Sequence, residues 1–119
     1  MSGKIELAAK LAAIDEHWSP RIVARYNDNK VVLVKVLGEF VWHSHPETDD
    51  FFLVLDGALT IDLPDGPVEL GPGELFVVPR GVRHRPRAEV ETSVLLVEPL
   101  GTPNTGDSTE RAAAPEIEA

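Results

Sequence analysis

Four side chains in this sequence have the chemistry to share a metal ion: His43, His45, His84 and Asp50. A neutral imidazole nitrogen and a carboxylate oxygen are donors that first-row divalent metals accept. His43 and His45 are alternate residues of a β-rich run, Phe40–His45. In a strand, alternate side chains leave the same face, so the two rings can converge on one ion. His84 comes from a distant stretch, just past a turn carrying Pro79 and Gly81. A site containing all three therefore needs a fold that brings separate strands together. By itself a His-x-His pair is more often two unrelated histidines than a metal site, and a lone histidine such as His84 usually satisfies a local hydrogen bond. The carboxylate is open among Asp50, its neighbour Asp49, and Glu47, which follows the strand-breaking Pro46. His17, beside Trp18, is read as a local hydrogen-bonding residue rather than a ligand.

The elements that would position these residues are mostly strands. A single amphipathic helix is expected from Gly3 to Asp15, with Leu7, Leu11 and Ile14 on one side and Lys4, Glu6 and Lys10 on the other. So short a helix is marginal alone and must pack against the rest of the molecule or a partner. After Ser19-Pro20 come short β-rich runs: Arg21–Tyr26, Lys30–Leu37, Phe40–His45, Asp50–Leu55, Ala58–Leu63, Pro67–Leu70, Glu74–Val78, His84–Ala88 and Thr92–Glu98. They are separated by turn signals, of which Asp56-Gly57 is the strongest for a hairpin. Many short strands with frequent turns predict an all-β sandwich or barrel. The organisation is then a helical segment over residues 1–18, a barrel over 19–100, and a polar tail over 101–119 whose composition suggests a disordered or loosely docked segment.

Composition narrows the function classes. The 119 residues suit one domain, and 43% apolar content supports a core. With no cysteine, disulfide scaffolds and thiolate metal sites are excluded, and a cytoplasmic setting is expected. A net charge of -9 disfavours nucleic acid and anionic membrane surfaces as partners. The cluster Arg80, Arg83, Arg85 and Arg87 lacks interleaved aromatics; the last three oppose His84 in strand parity and are expected to face solvent or pair with acids. Lys4 is followed by an alanine-rich amphipathic stretch rather than an apolar leader, and no apolar run approaches the ~20 residues needed to span a bilayer.

The joint pattern is more specific than any of its parts. Gly38-x4-His43-x-His45-x4-Asp50-x6-Gly57 resembles the first motif of the cupins, and Gly73-x5-Pro79-x-Gly81-x2-His84 resembles the second. The resemblance spans roughly residues 38–88 and implies a jelly-roll (double-stranded β-helix) barrel. It also implies one divalent metal held by His43, His45, His84 and a carboxylate, with Asp50 preferred because it keeps the gap to Gly57. Two positions depart from the pattern: aspartate stands where cupins usually have glutamate, and Ala88 where they often have asparagine. Gly57 and Gly81 stand where tight turns want positive φ, which agrees independently with barrel corners.

Three imidazoles and one carboxylate leave one or two coordination positions open, and Fe, Mn, Ni, Zn and Co all accept the set. The implied function is a small-molecule enzyme using the metal as Lewis acid or oxygen-binding centre, dioxygenase-like or sugar isomerase/epimerase-like. The rivals are a non-catalytic ligand-binding or sensor barrel and a barrel with a degenerate metal site, kept open by the aspartate. Phe51–Leu55 is apolar on both faces. Its outer face needs cover from the helix or a second subunit, and the resemblance favours a homodimer. Trp42, of opposite parity to the histidine pair, is expected outside the pocket.

Overall fold

The computed structural model describes residues 3–119. The helix α1 occupies Leu7–Ala12, shorter than the expected Gly3–Asp15. Glu6 at its N-terminus makes no side-chain cap, and no residue of α1 is fully buried. The flanks stay unwound because cover, not helicity, holds the segment. Ile14, Val23 and Leu33 form a small core against which Ile5, Leu7, Leu11, Leu55 and Leu95 pack. The N-terminal segment thus covers Leu55 on the outside of the sheet.

Eight strands follow: β1 Arg21–Tyr26, β2 Asn29–Glu39, β3 Asp50–Asp56, β4 Leu59–Asp62, β5 Val68–Leu70, β6 Leu75–Val78, β7 Arg85–Pro99 and β8 Ile117–Glu118. The order β5-β4-β7-β2-β1-β8, with β3 bridging β6 and β7, curls the sheet into a jelly-roll barrel. β1 and β2 form a hairpin that turns through Asn27 and Asp28. Where two strands, His84–Ala88 and Thr92–Glu98, are expected, a single long β7 runs through. It pairs with β2 along its length, with β4 near its start and with β3 in its second half. β7 is therefore the staple of the barrel.

The core lies inside, where Val34, Val36, Phe52, Val54, Leu59, Ile61, Val78 and Val94 are buried. Along β3 the parity is as read: Asp50, Phe52 and Val54 point in, while Phe51, Leu53 and Leu55 are half-buried on the outside. Gly57 turns β3 into β4 at φ +93°. A Cβ there would sit 2.5 Å from Thr92 Oγ1 and 2.7 Å from the Glu91 carbonyl, so only glycine lets the hairpin close onto β7.

Residues 101–119 are docked against the barrel, more extensively than their composition indicates. β8 pairs in parallel with β1, Ala119 N donates to Ile22 O at 2.9 Å, and Asn104 exchanges two hydrogen bonds with the Ala114 backbone. Backbone pairing and polar side chains, not apolar burial, hold this segment, and that is why hydropathy alone gives no sign of it. Among the described residues no helix is long and apolar enough to cross a membrane.

Candidate metal centre

The run Phe40–His45, expected as a strand, is not one: β2 ends at Glu39, and His43 and His84 meet in an isolated antiparallel bridge. His43 N donates to His84 O at 3.0 Å and His84 N to His43 O at 2.8 Å. Nearby, Phe40 N donates to Pro86 O at 2.9 Å, and Pro86, having no N–H, cannot return the bond. That missing donor interrupts the ladder, yet the bridge brings two distant histidines side by side through their backbones.

The structure brings His43, His45, Asp50 and His84 together. One donor atom from each lies within 4.8 Å of all the others, and all four residues are buried. The ring centres of His43 and His84 are 4.4 Å apart, and those of His43 and His45 5.0 Å. Asp50 Oδ2 lies 2.8 Å from His84 Nε2 and 3.3 Å from His45 Nε2. The other two carboxylates are elsewhere: Glu47 is exposed, and Asp49 accepts from Arg80 N at 2.9 Å outside the barrel.

The donor set fits a divalent ion. His43 Nδ1 and His84 Nδ1 lie 2.9 Å from the carbonyls of Val41 and Val82 respectively. A carbonyl only accepts, so these nitrogens carry the hydrogen, and Nε2 is the ring atom left to ligate an ion. For His84 that nitrogen lies 2.8 Å from an Asp50 oxygen, close enough for a ring hydrogen or a shared cation to bridge the two. Burial first, then the neighbouring His84 and His45 rings, holds the His43 pKa down to about 4, keeping its ring neutral at physiological pH. Burial acts to raise the Asp50 pKa, but hydrogen bonds from His45 and His84 outweigh it and bring it to about 2. Burial likewise opposes charge on His45, and the Asp50 carboxylate reverses that and raises its pKa.

Three members of the cluster, His43, His45 and Asp50, line a mostly apolar cavity inside the barrel. Phe40, Phe52, Leu59 and Val94 line it, and Glu98 and Asn104 are its polar groups away from the cluster. The space open to the centre of a water molecule is about 70 Å³, room for several waters or a small ligand. Glu98 is only 5% exposed, and burial together with the Asp50 charge pushes its pKa up to about 7. Its cross-strand partner Lys30, 1% exposed, approaches it at 3.4 Å. Neither residue stands out in the sequence, because an acid and a base at the ends of two strands look like surface residues until the strands are paired.

The remaining expectations are met outside the cavity. Arg83 and Arg85 lie over the Trp42 ring, with Arg85 and Arg87 also bonded to Asp62 at 2.9 and 2.8 Å. His17 bonds Glu91 at 2.7 Å. Trp18 stacks on Phe40 at 4.9 Å and lines the cavity.

The comparisons with known proteins agree with this fold. Residues 30–98 match the family model described as the cupin domain. The chain belongs to the cupins. It is 35% identical over 99 residues to the Bacillus subtilis protein YdbB, covering 82% of this chain and 88% of that protein. Among solved structures, a cupin-2 domain protein from Shewanella frigidimarina superposes with a TM-score of 0.79 at 44% identity, covering 80% of this cupin and 93% of that chain. A protein from Neisseria meningitidis gives 0.75 at 39% identity, covering 82% and 99%.

Proposed function

We propose that His43, His45, Asp50 and His84 hold one divalent metal ion and that this cupin is a metal-dependent enzyme for a small, largely apolar molecule. The observation that carries the reading is the convergence of four buried donor atoms within 4.8 Å, with His43, His45 and Asp50 lining an apolar cavity. When bound, such an ion supplies a Lewis-acid or oxygen-binding centre with positions open to substrate. The chain's own residues do the rest. Phe40, Phe52, Leu59 and Val94 exclude water and pack the body of the substrate, and Glu98 and Asn104 accept hydrogen bonds from its polar end. The walls favour oxygenase-like chemistry over sugar isomerisation, because most hydroxyls of a sugar would go unpaired against them.

Protein purified without chelating resin is expected to carry close to one equivalent of metal by mass spectrometry. It should then consume oxygen with small hydroxylated aromatic molecules and not with sugars. No metal uptake after reconstitution with Fe(II), Mn(II), Ni(II), Zn(II) or Co(II) sinks the metal reading. Stoichiometric metal with no turnover on either panel leaves a binding module.

We propose further that the cupin is a homodimer. Phe51 and Leu53 stand opposite Val77 and Leu75 on the outer face, where Leu75 is 54% and Val77 39% exposed. The N-terminal segment covers Leu55 farther along β3, while Leu75 and Val77 on β6 stay exposed. Light scattering is expected to give twice the 13.0 kDa chain mass, and Leu75→Asp to halve it; a native monomer refutes the pairing.

A further inference from the structure

We propose that the C-terminal segment is a working part of the metal centre, with Asp107 as a positioning residue for His43 and His45. The inference rests on the metal reading above and goes beyond it, because the segment lies outside both histidine motifs. Ser44, between the two histidines, is gripped by Asp107 from three sides. Its N–H donates to Asp107 Oδ1 at 2.7 Å, its hydroxyl to Oδ2 at 2.9 Å, and Asp107 N donates to the Ser44 carbonyl at 3.0 Å. Because Ser44 is the only residue between His43 and His45, fixing its backbone fixes the direction of both rings.

Two further contacts bring the same segment onto the site. Gly106 packs so closely that a Cβ there would lie 2.3 Å from the Ser44 carbonyl and 3.0 Å from His43 Cδ2. Arg111 lies 5.0 Å over Phe40, whose edge meets the His43 ring at 5.4 Å. The stretch His43–His45 has no regular strand to hold it, so this grip replaces a ladder. Without Asp107 the Ser44 N–H and hydroxyl lose their partners and the two rings lose their shared anchor.

The test uses Co(II) as probe on the full chain, read by competition against a chromophoric chelator and by its visible d–d absorption. Asp107→Ala is expected to weaken Co(II) binding by about 10–100-fold and to alter the band, the size typical for loss of an outer partner. Asp107→Asn should stay within about threefold of native, since its amide oxygen accepts from Ser44 N–H and the hydroxyl can turn to accept from its NH₂. Affinity is scored per folded molecule, from near-ultraviolet circular dichroism without metal. Should Asp107→Ala not fold, Ser44→Ala, which deletes one arm of the grip, decides: a drop of about threefold or more supports the role and no change overturns it. Native-like Co(II) affinity and spectrum in folded Asp107→Ala also overturn it. A native chain that binds no Co(II) overturns the metal reading itself, and with it this inference.

Discussion

His84→Ala is expected to lose stoichiometric metal while the barrel stays folded. His84 is 1% exposed and its Nε2 lies 2.8 Å from Asp50, so alanine removes a donor from the middle of the cluster. Its backbone bonds to His43 are made by main-chain atoms and survive the substitution. The loss in affinity should therefore exceed the roughly 10–100-fold typical of an outer partner. His43→Ala should behave alike, because its Nδ1 is committed to Val41 and its other nitrogen has no comparable task besides the ion. Metal analysis with circular dichroism checks both variants. Metal retained at native stoichiometry in folded His84→Ala would remove this residue from the ligand set.

Lys30→Met is expected to be the most destabilising change away from the site, by about 3–5 kcal/mol near pH 8, because it leaves buried acids without their counter-charge. Lys30 Nζ bonds Glu116 and the Thr102 carbonyl and lies 3.4 Å from Glu98. The pH dependence follows from Glu98, whose pKa is raised to about 7 by burial and the Asp50 charge, with Lys30 acting in the opposite direction. Between the ordinary glutamate value of 4.5 and about 7 the folded chain holds this proton and the unfolded chain does not, so stability falls as pH rises through that window. Removing Lys30 raises the folded pKa further and extends the loss above it. Urea unfolding of the metal-free protein should thus show a small deficit at about pH 5 and a large one at about pH 8. Adding Glu98→Gln should recover part of the deficit at the higher pH. Equal deficits at both pH values would show that the lysine acts by packing alone.

Much of the site was legible because its parts obey local rules. Strand parity put Asp50, Phe52 and Val54 on one face whatever the strand's neighbours, and the same rule sent Arg85 and Arg87 outward on either side of the buried Pro86. Glycines at Gly57 and Gly81 took the positive φ that their turns required, +93° and +79°. The irregular path of Phe40–His45 was not legible, since it depends on Pro86 in a strand far along the chain. Nor was the docked C-terminal segment, which is polar and bonded residue by residue to positions such as Ser44, Pro20 and Ile22.

By itself the sequence determined the donor types, their spacing, the turns and the strand faces, because backbone stereochemistry and side-chain chemistry act within a few residues. The tertiary structure alone decided that Asp50 and not Asp49 or Glu47 meets the histidines, that Lys30 and Glu98 are buried together, and that Asp107 grips Ser44. Those outcomes depend on strand register and chain crossing, where the partners lie dozens of residues apart and no local pattern records which will meet.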